Sequence, residues 1–439
     1  MTQQTRCLTI IGGGPAGIQA ALSAASHLEH IRLVSAGAPG DWSKFLPSRV
    51  WLAALEDVSR AERSPFSQVG TIDLKGLANE VNRVSQAWYK QVSEQLSQAN
   101  VEVIEGIAAF RSSREIEVEN SSTKIAFETG ATLIASGAEA AFPSGFEPDS
   151  ERVFSPATIS QLKTIPESIL VIGDACIGFE FVDIFSRLDV KVQWIVLDGG
   201  PRSGFSSEID KHLLSALRDR GVEFFPGPPV SLERGDLVVA SRPNGSRFEA
   251  EAAFVNIGHR PSLARLNLAA AGVSAGDNGM LQVDEYFRTN VPHVYAVGDA
   301  LRFWAGNVAM GEAQCAALHA SHIPVAPFDH DTTIISFGFN PQAAKVGNWD
   351  QGDPSVRSSM VPYSACLMAH IERQTEGFVR IAWNEDGRIL GGHAVGANAA
   401  DVLAPVAMTM KLSGTVTDLA SMSFGHPYYA ELTNRAVQQ

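Results

Sequence analysis

Two stretches of the chain share one pattern: a short apolar run, a glycine turn, a helix and a second apolar run. In the first, residues 7–11 predict a strand that leads into Gly12-Gly13-Gly14-Pro15-Ala16-Gly17. A small-residue helix follows from 18 to about 27, then a strand over 31–34. In the second, a strand over 168–172 turns at Gly173-Asp174-Ala175-Cys176-Ile177-Gly178 and continues through a helix into a strand over 190–197. Such units about 160 residues apart predict a duplicated nucleotide-binding element. Between them lie an amphipathic helix over 74–98 and a strand over 101–110. After residue 330 the texture changes. Strand-like runs at 332–337, 378–383 and 388–395 precede a helix over 399–413, which marks a separate α+β unit. A weak linker is expected at 147–155. The fold class expected is α/β, with two Rossmann-like dinucleotide-binding domains and a C-terminal α+β domain.

Composition narrows the setting. At 439 residues two to three domains are expected, and 45% hydrophobic content supplies an ordinary globular core. A net charge of −14 without a basic stripe argues against nucleic acid and anionic membrane as partners. No run approaches the roughly 18–20 apolar residues of a membrane span. The opening MTQQTRCLTIIGGG runs straight into the first strand, which leaves no room for a signal peptide and points to the cytoplasm. The four cysteines, Cys7, Cys176, Cys315 and Cys366, form no C-x-x-C, no C-x4-C and no metal-spaced cluster, so no metal is expected.

A G-x-G-x-x-G motif is weak alone and gains force from its place between a strand and a helix. Gly12 makes the tight turn, Gly14 lets the backbone approach a pyrophosphate, and Gly17 brings helix and strand together. The free N–H groups of the turn, through Pro15 and Ala16 at the helix start, then face the phosphates. The plain alternative is a glycine-rich turn without a ligand.

Further motifs follow in order. Val297-Gly298-Asp299-Ala300 closes a short apolar run, Ile257-Gly258-His259-Arg260-Pro261 stands upstream, and Ile134-Ala135-Ser136-Gly137 earlier still. Near the end come Gly387-Arg388-Ile389-Leu390-Gly391-Gly392-His393 and His426-Pro427. Together these resemble the pyridine nucleotide–disulfide oxidoreductase family, the group of lipoamide dehydrogenase, glutathione reductase and mercuric reductase. The resemblance implies FAD held by the first glycine turn, Ser136-Gly137, Gly298 and Asp299, with the aspartate on the ribityl hydroxyl. It implies a nicotinamide nucleotide at Gly173, Ala175, Gly178 and Gly258, and a homodimer. The domains implied are 1–150 and 273–330 for FAD, 151–272 for NAD(P), and 331–439 for dimerisation.

The departures from the family pattern bear on function. The family's C-x4-C pair precedes a hydrophobic-Pro-Ser-Lys tail. Here that tail reads Leu46-Pro47-Ser48-Arg49, which puts Gly40 and Phe45 where the cysteines would stand. Neither forms a thiolate, and dithiol–disulfide chemistry needs one. Arg49 replaces the lysine and keeps a cation near the flavin, but it cannot deprotonate. Glu180 matches the glutamate that pairs with this cation, so an Arg49–Glu180 pair is expected; the plain alternative is an exposed helix position. Ser35 stands where an acid would bind the adenine ribose.

At the second turn Ala175 replaces a glycine, and Asp174 adds negative charge near a pyrophosphate. Asp198 at the strand end favours NADH over NADPH, while Arg202 leaves the other open. Cys176 occupies the place of an aromatic gate; the plain alternative is a gap-filling residue. His426 with Glu431 reproduces the family's histidine–glutamate pair, which suits proton delivery near neutrality. An inherited packing pair is the alternative. Tyr428 and Tyr429 are expected to narrow that pocket.

Three functions remain open. The first is an FAD-dependent NAD(P)H oxidoreductase that passes electrons to a small non-disulfide acceptor such as a quinone, a dye, oxygen or a second pyridine nucleotide. The second is a catalytically weak FAD-binding dimeric scaffold or sensor subunit. The third is a dihydrolipoamide dehydrogenase-like disulfide reductase using Cys176 or a partner's thiols.

Overall fold

The computed structural model describes residues 7–40, 42, 46–66, 70–173, 175–197, 200–350 and 352–438. Phe45, Asp174 and Asp198, three positions singled out above, lie outside the described residues. The chain divides into two compact units, each assembled from three segments. One holds 1–44, 81–141 and 258–328, the other 45–80, 142–257 and 329–439.

In the first unit a five-stranded parallel sheet runs in the order Val294–Ala296, Ala131–Ile134, Cys7–Ile11, His30–Ser35 and Glu102–Glu105. Buried on both faces, its central strands read as continuous apolar runs, Leu8-Thr9-Ile10-Ile11 being buried throughout. The helix Pro15–Ala24 packs on the helix Gly306–Ala320, and small residues on both sides (Ala20, Ala21, Ala24, Ala313, Ala316, Ala317) let the axes approach. The helix starts at Pro15, inside the predicted turn, where proline's missing N–H costs nothing. The single strand expected over 101–110 is two strands. Gly106, at φ +153°, breaks it, sending Ile107–Ser112 into a separate antiparallel sheet with Glu115–Glu119 and Lys124–Glu128. A side chain at Gly106 would meet Val118 at 2.6 Å.

The second unit repeats the theme. Glu223–Pro226, Lys191–Val196, Ser168–Gly173, Ala252–Asn256 and Val153–Phe154 form its parallel sheet in that order. The last strand falls inside the expected 147–155 linker, which is therefore not a free connection. The unit also carries an antiparallel sheet in the order Ile335–Phe337, Ala343–Gly347, Ile389–Val395, Phe378–Trp383 and Arg357–Pro362. The helix Ala399–Lys411 packs on it and ends before Ser413, which turns left-handed at φ +54°.

An ion pair ties this antiparallel sheet to the helix Ser207–Asp219. Arg380 donates from Nε and Nη2 to Glu208, and His393, buried under the Trp349 ring, lies 3.8 Å from it. Burial pushes the Glu208 carboxyl up, but the neighbouring His393 and the hydrogen-bonded Arg380 outweigh it and hold it at about 2. The stability this adds is complete above the unfolded value near 4.5 and is lost as pH falls toward 2. His393 is pushed below its ordinary value by burial, so it too makes the fold acid-sensitive, from about pH 6.5 downward. Glu208→Gln should cost about 1–2 kcal/mol at pH 7. It should also flatten the melting curve's pH dependence between about 4.5 and 2; an unchanged slope there would rule the pair out as its source.

Candidate functional site

The first glycine turn is set by backbone crowding. Gly12 sits at φ +123°, and a Cβ there would lie 2.1 Å from the Ala135 carbonyl oxygen; one at Gly17 would lie 1.8 Å from the Gly12 carbonyl. Neither position admits a side chain without moving backbone. A Cβ at Gly14, in contrast, meets no atom within 4 Å. The turn is thus closed where strand and helix touch and open where a ligand would approach. Beside it the Ser136 hydroxyl is buried with no hydrogen-bond partner among the described residues. Ser35 is buried, and its hydroxyl lies 2.2 Å from where a Cβ of Gly13 would be.

At the other strand end Gly298 begins a short turn with Asp299. Burial pushes the Asp299 carboxyl up to about 6; the Trp304 backbone N–H opposes that rise and the charge of Glu312 adds to it. Gly137 takes φ +69° and accepts Ser262 N–H at 2.9 Å, and the Gly258 carbonyl accepts Ala141 N–H at 2.9 Å.

In the second unit the glycine turn echoes the first. Gly173 sits at φ +132°, with a would-be Cβ 2.1 Å from the Asn256 carbonyl, the equivalent of the Gly12–Ala135 contact. The third glycine differs. Gly178 stands 3.1 Å from the Gly173 carbonyl by the same measure, and the buried Trp194 indole donates to that carbonyl at 2.7 Å. Cys176 Sγ donates to the Ser203 carbonyl at 2.6 Å. Burial and the nearby Glu180 and Asp210 charges push its thiol up to about 12. The thiolate form of Cys176 is thus disfavoured near neutral pH.

Arg49, on the helix Leu46–Arg63, donates from Nη2 to Glu180 Oε2 at 2.9 Å, the pair expected from the sequence. Glu180 is 3% exposed, which overturns the exposed-helix alternative. Burial pushes its carboxyl above the usual range, opposed by Arg49 and the Ser48 hydroxyl. His426 Nδ1 meets Glu431 Oε1 at 2.8 Å. Burial raises the Glu431 carboxyl, but Arg435 and His426 hold it below its ordinary value. Of the adjacent tyrosines only Tyr428 is exposed. Tyr429 turns into the core and donates to Glu372 at 2.9 Å, because its neighbours Leu432 and Tyr363 bury its ring; it does not narrow a pocket.

Residues 7–320 match the family described as pyridine nucleotide-disulphide oxidoreductase. The chain belongs to this family. Residues 331–437 match the dimerisation domain of the pyridine nucleotide-disulphide oxidoreductases. A dihydrolipoyl dehydrogenase of Haloferax volcanii is 27% identical, over 98% of this chain and 95% of its own. An NAD(P)H dehydrogenase (quinone) of Mycobacterium tuberculosis is 26% identical, over 96% and 91%. Among solved structures, LpdA of M. tuberculosis superposes with a TM-score of 0.93 at 26% identity, covering 98% of this chain and 99% of that one. The pyridine nucleotide-disulphide oxidoreductases represented here are FAD- and NAD(P)H-dependent enzymes.

The family's cofactor fits the first unit: an open Gly14, a buried unpartnered Ser136 hydroxyl and a carboxylate at Asp299 are what a dinucleotide with a polyol chain requires. The backbone at Gly40, where the sequence pattern puts the first cysteine of the pair, does not suit a cysteine. Gly40 adopts φ +79°, donates its N–H to the Gly13 carbonyl at 2.8 Å, and would press a Cβ against Val92 at 3.2 Å. Sequence reasoning missed Glu312, buried in the helix behind Asp299, and Trp194 behind Gly173. The signal for Glu312 was legible: one acid in a helix otherwise free of acids.

Proposed function

We propose that this chain is an FAD-dependent NAD(P)H oxidoreductase that passes electrons to a non-disulfide acceptor, most simply a quinone. The observation that carries the reading is the left-handed glycine at position 40, combined with a Cys176 thiol raised to about 12. Together they leave no thiolate for disulfide exchange at either place. The relative described as a quinone-reducing NAD(P)H dehydrogenase supports the acceptor class. NADH is the proposed donor, and the working form proposed is a cytoplasmic homodimer built on the matched dimerisation domain.

Bound FAD would supply reversible two-electron hydride acceptance. Gly12, Gly14, Gly17, Ser136 and Asp299 would hold it. Arg49 keeps a fixed positive charge that no proton loss removes, and Glu180 orients it. With Nδ1 held by Glu431, Nε2 is the His426 nitrogen left to pass a proton to the acceptor. Hydride from NADH and one proton from solvent complete the conversion of quinone to quinol.

Adding NADH anaerobically to the purified protein should bleach the flavin band without a long-wavelength thiolate–flavin band, and a quinone should restore it. Thiol alkylation beforehand should change nothing. A yellow protein that neither NADH nor NADPH bleaches overturns the enzyme reading and leaves the scaffold reading. That second reading draws on the looser Gly178 packing and on Ala175 in the second turn.

A further inference from the structure

The helix Gly306–Ala320 is built of small and apolar residues, yet Glu312 is buried in it with 1% of its surface exposed. A carboxylate is kept out of water only when donors meet it. Glu312 Oε2 accepts the Gly298 N–H at 2.8 Å, and Oε1 accepts Arg302 Nη2. The Arg302 guanidinium lies 4.9 Å over the Trp304 ring, and the Trp304 N–H in turn reaches Asp299. Gly298 is at φ +66°, with a would-be Cβ 3.0 Å from that of Ala309, so the turn is seated against the helix. Gly298, Asp299, Arg302, Trp304, Val308 and Glu312 line one narrow cavity. The buried carboxylate thus grips the turn on both sides of Asp299.

We infer that Glu312 is a positioning residue for the cofactor: it pins Gly298 and Arg302 so that Asp299 presents its acceptor oxygens to the ribityl chain of FAD. This rests on the reading above that Asp299 faces FAD. The arrangement has an electrostatic signature. Among the described residues Glu312 is the charged group that acts on Asp299, with Arg302 paired to it, and the Glu312 charge helps raise the Asp299 carboxyl to about 6. A neutral acid accepts hydrogen bonds more weakly than a carboxylate, so FAD retention falls as pH drops through about 6. Removing the Glu312 charge moves that midpoint down.

The test is FAD affinity of the full chain, stripped of cofactor and titrated by fluorescence from pH 5 to 8, for wild type, Glu312→Gln, Glu312→Ala and Asp299→Asn. At pH 8 Glu312→Ala weakens FAD about tenfold or more, because the Gly298 N–H is left unpaired in the interior. Glu312→Gln, whose amide oxygen still accepts that N–H, stays within about threefold, and its pH midpoint lies below that of wild type. Asp299→Asn abolishes the pH step. A wild type that takes up no FAD overturns the cofactor reading itself. A wild type that binds FAD, with Glu312 variants equal to it in affinity and midpoint, overturns the positioning role alone. So does a glutamine variant as weak as the alanine one with an unmoved midpoint.

Discussion

Gly17→Ala should purify colourless and melt well below wild type, whereas Gly14→Ala should fold normally and still lose FAD. The two glycines are three residues apart and differ in what their missing side chains would meet. A Cβ at 17 lands 1.8 Å from the Gly12 carbonyl oxygen and 3.0 Å from its carbon. That is backbone on both sides, so the helix must lift off the strand, at a cost of about 1–3 kcal/mol or more. Lifting the helix also spreads the turn whose N–H groups receive the phosphates. A Cβ at 14 touches no protein atom and leaves the apoprotein unstrained. If, as proposed, the pyrophosphate of FAD lies against Gly14, the methyl stands in its place and FAD affinity should fall at least about tenfold. Flavin content at purification and melting of the stripped proteins separate the effects. Full flavin content in Gly14→Ala would refute the placement of the pyrophosphate.

Arg49→Ala should slow NADH-driven flavin bleaching by about 10- to 100-fold, and Arg49→Lys should restore most of it. Glu180 is 3% exposed and leans on Arg49 to remain ionised against burial. Without the guanidinium burial pushes its carboxyl further up, so the site loses a fixed cation together with the group that orders Glu180. The Arg49 side chain is itself 48% exposed, which limits the stability loss to about 1–3 kcal/mol. Lysine keeps the charge, although it carries a proton that can be lost at high pH. Stopped-flow bleaching across pH 6–9 checks both points. A rate in Arg49→Ala equal to wild type would remove Arg49 from the electron path.

The glycine turns were legible because the constraint is local: strand, tight turn and small-residue helix are adjacent in sequence, and only glycine tolerates the contacts at 12 and 173. The helix over 74–98 was legible in full, as its apolar stripe recurs over 25 residues. Long-range constraints were not. Gly106 divides an apolar run into strands of two sheets, and only the partner strands reveal it. Tyr429 reads as a pocket residue beside His426 until Glu372, far upstream, claims its hydroxyl. Pairing of Arg49 with Glu180 was legible only through the family pattern, since 131 positions separate them.

Gly40 bears on how readily a cysteine could enter this position. One base change converts glycine codons of one kind to cysteine codons, so the step is short in the gene. It is long in the protein. A cysteine at φ +79° would carry the penalty every L-residue with a Cβ meets there, pressed against Val92, before any sulfur found a partner. Position 45 would have to change as well, and neither change alone yields a bond. Selection acting one substitution at a time meets a loss at the first step and no gain until the second. The backbone at Gly40 therefore works as a ratchet against a cysteine at this position.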